Sequence, residues 1–194
     1  MFTQITIRNV CDKDMPAIQA IYALQVTHGV SSWEELPPSL EQMIQRQKTI
    51  TQDGYPYIVA VRGDQVLGYA YASAYRTRPA YRYTVENSIY LAESAQRMGL
   101  GQKLLSQLII QCTQEGFRQM IAVVGDSENH MSIDFHKKMG FEEVGVIKSI
   151  GYKFERWLDS VMLQLTLGEG DTSPPQKDLF NRYPKITIRS ITYV

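Results

Sequence analysis

The sequence contains little cysteine and histidine and has no excess of charge. Its two cysteines, Cys11 and Cys112, are too few for a disulfide framework, which suits a reducing compartment. The three histidines form no HExxH-like pair, so we expect no metal site. Twenty Lys and Arg residues balance twenty Asp and Glu residues, which argues against binding of nucleic acid or anionic lipid over the whole surface.

Long apolar runs are absent as well. No uninterrupted run approaches the ~18 residues that a membrane span needs. Charged residues such as Arg8, Asp12 and Lys13 precede any apolar core, so no secretory signal is visible. We therefore expect a cytoplasmic protein with neither a membrane nor a nucleic acid as its partner.

A length of 194 residues favours one domain, since a domain averages ~150 residues. The stretch over residues 168–177 is rich in Gly, Pro and Ser and has the composition of a linker. We expect a domain over residues 1–167, followed by a C-terminal linker and extension over residues 168–194. Residues 185–189 alternate in polarity and would suit an edge strand on another subunit.

Hydrophobic periodicity predicts elements in the order β, α, α, β, β, β, α, β, α, β, β. Asp12 and Asp14 before Pro16 predict the start of the first helix, and Ser39 predicts the cap of the second. The two closing strands are predicted over residues 141–150 and 161–167. Hairpins mixed with crossover helices indicate an α+β (mixed α/β) fold rather than a doubly wound sheet.

The segment Gln96-Arg97-Met98-Gly99-Leu100-Gly101 lies between a β-rich run and a strong helix. Two glycines in the first turn let the backbone approach a ligand, and the free N–H groups and helix dipole attract phosphate. The segment lacks the third glycine of a dinucleotide fingerprint and the Gly-Lys-Ser/Thr of a P-loop. On its own it is equally consistent with a helix start that binds nothing.

The order strand, Q-x-x-G-x-G, helix, strand, Asn-containing turn, helix, Met-Gly-Phe resembles the GNAT superfamily of acyl-CoA-dependent N-acyltransferases. Five further stretches are similar to the phosphinothricin and methionine sulfoximine acetyltransferase branch: residues 54–60, 78–86, 116–120, 125–129 and 153–159. The resemblance extends from about Ile5 to Leu167. It implies a central mixed, mostly antiparallel sheet flanked by helices, acetyl-CoA as acyl donor, and a homodimer. The implied reaction is direct attack by the α-amine of a small amino acid, such as phosphinothricin, methionine sulfoximine or methionine sulfone.

The resemblance also implies a set of cofactor-binding residues. A bulged strand would pair with the pantetheine arm of coenzyme A, with a backbone N–H near Tyr90 polarising the thioester carbonyl. The following turn and helix would hold the pyrophosphate, and Asn129 would cap its helix, bond the pantetheine amide, or both. Met98 departs from the basic residue usual there, which weakens phosphate contact unless Arg97 or Lys103 substitutes. The complete set is Ile89, Tyr90, Leu91, Arg97, Met98, Gly99, Leu100, Gly101, Gln102, Lys103, Asn129 and Ser132.

Two residues are candidates for proton transfer. Glu86 lies in an apolar β-rich run, where a carboxylate is costly unless it is used or paired. It either deprotonates the substrate ammonium, directly or through water, or forms a structural ion pair with a nearby arginine. His136 stands where many GNAT enzymes have a tyrosine that protonates the coenzyme A thiolate. It either serves that purpose or orients its neighbours.

Arg76, Arg78 and Arg82 alternate with tyrosines and form a local basic cluster. Guanidinium groups suit carboxylate and phosphinate oxygens, so an anionic amino acid would bind here; the alternative is a solvated loop. The full set of substrate-binding candidates is Trp33, Arg76, Arg78, Arg82, Tyr83 and Glu86. The cluster argues against a polyamine or aminoglycoside acceptor, because like charges repel. Those acceptors, a protein N-terminus, and a coenzyme A-binding module without catalysis remain the alternatives.

Overall fold

The computed structural model describes residues 4–175, which form one seven-stranded sheet with helices on both faces. The strands are β1 (Ile5–Asn9), β2 (Tyr57–Arg62), β3 (Gln65–Ala74), β4 (Thr84–Leu91), β5 (Gln119–Gly125), β6 (Glu142–Lys153) and β7 (Arg156–Thr166). The helices are α1 (Met15–His28), α2 (Leu40–Gln52), α3 (Leu100–Gln114) and α4 (His130–Lys138). Short 3-10 turns lie at Asp12–Asp14, Pro79–Tyr81 and Glu93–Ala95. The element order follows the sequence prediction.

The strands lie in the order β1-β2-β3-β4-β5-β7-β6. Neighbours are antiparallel except β4 and β5, which pair in parallel over Thr84–Glu86 and Gln119–Ile121. Both strands continue well beyond this short ladder, β4 to Leu91 and β5 to Gly125. The sheet is therefore mixed and mostly antiparallel, as expected, and it opens where β4 and β5 part.

Helices cover both faces of the sheet. Met15, Ile18 and Val26 of α1 pack with Val59 and Tyr69 in one cluster. On the opposite face, the leucines of α3 pack with Ile58, Ala60 and Val85. Successive residues of a strand point to opposite faces, and both faces of β2 are covered. That is why β2 is an uninterrupted apolar run instead of an alternating one.

Local signals set the ends of the first two helices. The Ser39 hydroxyl accepts a 3.2 Å bond from the Gln42 N–H, and the Gln42 side chain accepts a 2.8 Å bond from the Ser39 N–H. This capping box confirms the predicted start of α2. Helix α1 begins at Met15, but the Asp14 carboxylate does not cap it. It accepts bonds of 2.7 and 2.8 Å from the Arg8 guanidinium instead.

The closing hairpin extends further than the sequence predicts. Strands β6 and β7 meet at a two-residue turn, Phe154 and Glu155, which have φ of 53° and 57°. Such turns normally contain Gly, Asn or Asp because both residues adopt a left-handed conformation. Phe and Glu give no turn signal, so the predicted strands stopped short of the hairpin on both sides.

After β7 the chain folds back onto the domain. The Arg118 side chain contacts the Glu169 carboxylate at 3.4 Å and the Ser173 hydroxyl at 3.3 Å. The domain boundary at residue 167 stays a prediction, and the alternating stretch over residues 185–189 lies outside the described residues. None of the helices within residues 4–175 is long and apolar enough to span a bilayer. In the same part of the chain no three His, Cys, Asp or Glu side chains cluster as a metal site.

Candidate active site

A cavity of about 130 Å³ occupies the gap where β4 and β5 part. Strand β4 contributes Glu86 and Asn87, helix α4 contributes His136, and the loop between α1 and α2 contributes Ser31. The remaining lining residues are Ser88, Ile89, Tyr90, Ala122, Val123, Val124, Gly125, Asn129 and Ser132. Both proton-transfer candidates therefore line one cavity at the middle of the sheet.

The backbone of β4 presents hydrogen-bond donors to this gap. The Ala92 N–H bonds to the Leu67 carbonyl of β3. Backbone groups alternate between the two sides of a strand. The Tyr90 N–H therefore also points to β3, and the N–H groups of Ile89 and Leu91 point to the gap.

The prediction of a bulge in β4 is wrong. Strands β3 and β4 pair with no register shift from Gly68 opposite Leu91 to Ala74 opposite Val85. The donors become accessible because β5 diverges after Glu86, not because β4 is irregular.

A second cleft, of about 450 Å³, adjoins the first and shares Ser31, Ile89, Tyr90, Asn129 and Ser132 with it. Its other lining residues are Gln25, Leu91, Gln96, Arg97, Gly99, Leu100, Gly101, Gln102, Met131 and Phe135. Most of the predicted cofactor residues thus line one cleft. Met98 and Lys103 flank it without lining it; Met98 is exposed.

The turn before α3 is left-handed at Arg97 and at Gly99, whose φ is 70°. A Cβ atom on Gly99 would meet nothing within 4 Å, so glycine is favoured there by backbone conformation alone. A Cβ on Gly101 would touch the Phe135 ring at 3.5 Å, an ordinary contact. The first N–H groups of α3 have no partner within the helix, and they begin at this turn. The arrangement suits the phosphates of a nucleotide-like ligand.

A second helix start faces the same cleft. The Asn129 side chain accepts a 3.3 Å bond from the Ser132 N–H and so caps α4. The preceding turn is fixed by Asp126, which has φ of 77°, accepts a 3.1 Å bond from the Glu128 N–H and is paired with Arg156. Asn129 and Ser132 are therefore held in place between the two cavities.

Glu86 is a half-buried carboxylate on the wall of the first cavity. Burial raises its pKa, and the positive charge of Arg76 offsets part of this shift. Among the described residues, no ion pair engages its side chain, so the structural ion pair considered from the sequence is not formed. A carboxylate with a raised pKa and no partner has the properties of a general base.

His136 is buried on the opposite side of β4. One ring nitrogen, Nδ1, lies 2.8 Å from the Ser132 carbonyl oxygen, and Nε2 lies 3.3 Å from Oδ1 of Asn87. The rings of Phe135 and Phe141 pack edge-on at 5.2 Å. Burial lowers the pKa of the imidazole, and the Ser132 contact opposes this shift.

The predicted basic cluster lies beside the cavity rather than in its wall. The Arg76 guanidinium packs over the Tyr75 ring and Arg82 over the Tyr83 ring, at 4.5 and 4.8 Å. Arg78 is exposed at the start of the 3-10 turn. None of these, nor Tyr83, lines either cavity. Of the three arginines, only Arg76 contributes to the pKa of Glu86.

Trp33 packs behind Gly125, which is part of the cavity wall. Its ring packs against Gly125 and Gly151, where an added Cβ would come within 2.5 and 2.6 Å of the indole. A Cβ on Gly125 would also lie 2.4 Å from the Val30 carbonyl oxygen. Both glycines are thus needed for the loop between α1 and α2 to approach the ends of β5 and β6.

A buried lysine secures that loop. The Lys153 amino group donates to the carbonyl oxygens of Val26, Gly29 and Ser32 at 2.8, 3.0 and 2.6 Å. Burial lowers the pKa of this amino group, and the charge of Glu34 opposes the shift. Three acceptors for one ammonium group give a polar clamp between the closing hairpin and the end of α1.

The sequence matches the family model described as "Acetyltransferase (GNAT) domain" over residues 7–162. The chain belongs to the GNAT acetyltransferase family. The predicted family and α+β class are thereby confirmed.

Three relatives resemble this GNAT chain over most of its length. A phosphinothricin N-acetyltransferase from Alcaligenes faecalis is 48% identical over 171 residues, covering 88% of this chain and 87% of the relative. An L-methionine sulfoximine/L-methionine sulfone acetyltransferase from Pseudomonas aeruginosa is 36% identical over 170 residues, covering 87% of this chain and 98% of the relative. A solved GNAT superfamily phosphinothricin acetyltransferase from Sinorhizobium meliloti, in complex with AcCoA, has a TM-score of 0.88 and 45% identity, covering 94% of this chain and 97% of that one.

Sequence reasoning missed three residues of the GNAT site. Ser31 lines both cavities, Asn87 contacts His136, and Lys153 clamps the loop. Asn87 carried a signal, because an amide beside Glu86 in an apolar strand needs a buried partner. Lys153 carried no signal, because the loop that it binds lies more than a hundred residues away in the sequence. Ser31 carried none either, because it lies in a loop without a recognisable motif.

Proposed function

We propose that this GNAT chain transfers an acetyl group from acetyl-CoA to the α-amine of a small amino acid or analogue. Phosphinothricin, methionine sulfoximine and methionine sulfone are the acceptors we favour. The observation that carries the proposal is the unpaired, half-buried Glu86 carboxylate in the same cavity as His136, next to the α3 turn. The names of the relatives support the acceptor class.

Acetyl-CoA fits the second cleft by its chemistry. The free N–H groups of the α3 turn would hold its pyrophosphate, with Arg97 adding charge at the rim. Asn129, Ser132 and the β4 residues Ile89 to Leu91 would line the path of the pantetheine arm. When bound, the thioester supplies an activated acetyl carbonyl at the gap between β4 and β5.

The residues of the chain then serve separate steps. Glu86 takes a proton from the substrate ammonium, directly or through water, leaving a neutral amine. An N–H group of Ile89 or Leu91 donates to the acetyl oxygen while the amine nitrogen bonds to the carbonyl carbon. The carbon–sulfur bond breaks, His136 gives the thiolate a proton, and the nitrogen releases its second proton to water as the amide forms. The products are the amide and coenzyme A.

The basic residues beside the cavity would select the acceptor. Arg76 contributes to the pKa of Glu86 and is the first candidate to bind the substrate carboxylate, with Arg78 and Arg82 further along the same loop. Trp33 and Tyr83 would then border the acceptor rather than bond to it. This array favours an amino acid over a polycation.

We also propose a homodimer that forms through the closing hairpin. Strand β6 lies at an edge of the sheet, and its large apolar side chains are exposed together with those of the adjoining turn and β7. They are Val144, Val146, Ile147, Ile150, Tyr152, Phe154 and Trp157. An uncovered edge strand with such a surface would aggregate. A second copy of the chain, with the same edge, is the occupant we propose.

We propose the cytoplasm as the location of the protein. The exposed thiol of Cys11 suits a reducing compartment.

The test is thiol release from acetyl-CoA with a panel of amines. We expect turnover with methionine sulfoximine, methionine sulfone or phosphinothricin well above the rate without acceptor. A strong preference for a polyamine, an aminoglycoside or a peptide N-terminus would contradict the acceptor class. Tight coenzyme A binding by calorimetry with no turnover on any amine would indicate a binding module instead.

A further inference from the structure

Asn87 and His136 belong to a row of buried polar groups that joins α4 to β5 through β4. The Ser132 carbonyl oxygen lies 2.8 Å from Nδ1 of His136, and Nε2 lies 3.3 Å from Oδ1 of Asn87. The Asn87 amide nitrogen donates to the Ile121 carbonyl oxygen at 3.1 Å. Both ends of the row are backbone carbonyls, which accept hydrogen bonds and never donate.

The number of protons in this row decides the charge of the imidazole. Three contacts require three donors, but a neutral imidazole and one amide end supply two. With Nδ1–H donating to Ser132 and the amide to Ile121, a lone pair on Nε2 would face a lone pair on Oδ1. Turning the amide over moves the mismatch to Ile121, and shifting the ring proton moves it to Ser132. The shortage is therefore independent of how amide and tautomer are assigned.

Only an imidazolium satisfies all three contacts. We propose that Asn87 is a positioning residue that keeps a proton on Nε2 of His136, so that the side chain enters the reaction as an acid. This inference rests on the proposed function, in which His136 protonates the departing thiolate. Burial disfavours the charged ring, and the contact with the Ser132 carbonyl opposes that shift. The Asn87 oxygen, 3.3 Å from Nε2, is placed to accept from the charged form as well.

Other charged groups around the ring do not account for a proton there. Glu86 and Tyr90 are the titratable groups that share its cavity, from the other face of β4. The remaining neighbours by element are His130, Asp134, Lys137 and Lys138 on α4, which are exposed, and Asp126 and Asp159 at the adjoining ends of β5 and β7. Asp126 is paired with Arg156, and Asp159 accepts bonds from Ser127 and Lys148. Strand β5 contributes no titratable side chain to the cavity.

The test is an NMR titration of the His136 ring nitrogens in the unliganded protein and in Asn87→Ala. In the unaltered protein we expect both nitrogens to be protonated at the start of the titration, and Nε2 to lose its proton first. In Asn87→Ala we expect the pKa of His136 to fall by about one unit, because the acceptor for the charged form is gone. The ring signals of His130, exposed on the same helix, provide the internal reference.

A second variant guards against a folding defect. Asn87→Ser keeps a polar side chain on β4 but is one bond too short to accept from Nε2, and it should shift the titration in the same direction. An unchanged His136 titration in either folded variant would overturn the proposal, as would loss of Nδ1–H before Nε2–H. The readout needs no turnover, so failure of the proposed function and failure of the Asn87 role are distinguishable. In the active enzyme, the alkaline limb of kcat should move with the titration.

Discussion

The Lys153 amino group, at the end of β6, donates a 2.6 Å hydrogen bond to the carbonyl oxygen of Ser32, in the loop between α1 and α2. Ser31, the preceding residue, lines both cavities, and Trp33, the following one, packs on the ends of β5 and β6. The closing hairpin therefore sets the position of the loop that borders the proposed reaction centre. An ammonium group bonded to three carbonyls makes that position specific.

Replacing this lysine tests the clamp. Lys153→Met keeps the length of the side chain but leaves the carbonyls of Val26, Gly29 and Ser32 without a donor. We expect the free energy of unfolding to fall by about 1–3 kcal/mol and KM for the acceptor to rise more than kcat changes. Denaturant unfolding and steady-state kinetics measure both. Lys48→Met, on the exposed side of α2, is the matched control. Equal effects of the two substitutions would contradict the clamp.

The two glycines of the α3 turn should differ in their tolerance of alanine. Gly99→Ala places a Cβ on a left-handed residue at a cost of about 1–2 kcal/mol, and it disturbs the N–H groups proposed to hold the pyrophosphate. We expect its coenzyme A dissociation constant to rise about tenfold. Gly101→Ala makes only ordinary contacts and should bind nearly as tightly as the unaltered chain. Isothermal calorimetry separates them; the reverse order would argue against the proposed phosphate site.

The pH dependence of kcat/KM should report Glu86. The base acts when ionised, so kcat/KM rises with pH as Glu86 loses its proton. Burial raises the pKa of Glu86, so this acid limb of the pH profile should lie at a higher pH than an ordinary glutamate would give. Arg76 favours the ionised form, and Arg76→Gln should therefore move the limb to higher pH. Arg78→Gln removes a neighbouring charge that does not act on Glu86, and its acid limb should stay in place. Identical limbs in both variants would show that Arg76 does not tune the base.

The proposed dimer can be disrupted at the edge of the sheet. Val146→Asp places a charge within the exposed apolar row of β6, and it should halve the mass measured by light scattering. Ile110→Asp, on the exposed face of α3, changes the same kind of residue outside that row and should leave the mass unchanged. A monomeric unaltered chain, or a dimer indifferent to Val146→Asp, would contradict the interface.

Local patterns predicted most of the fold. Leu100, Leu104 and Leu108 recur at helical spacing and lie in the core on α3, and Ser39 caps α2 as its sequence context indicates. These features depend on residues within one or two turns of each other. The Phe154-Glu155 turn was not predicted, because both residues adopt a left-handed conformation that Phe and Glu normally avoid.

The site was predicted less completely, because its key contacts join distant segments. Asn87 and His136 are 49 residues apart, and Lys153 reaches Ser32 across 121 residues. No periodicity specifies such a pairing. The parting of β4 and β5 after Glu86 is likewise a property of the assembled sheet, and the bulge in β4 that the family resemblance implied is not needed for it.

The most direct test of the account is the rate of acetyl transfer to methionine sulfoximine by Glu86→Gln. The substitution keeps the shape of the side chain and removes the base, so kcat should fall by about 10²-fold or more. The dissociation constant of coenzyme A should stay nearly constant, because the α3 turn is untouched. Glu41→Gln, an exposed carboxylate on α2, is the matched control and should behave as the unaltered enzyme. A Glu86→Gln enzyme that turns over at the unaltered rate would contradict the central claim.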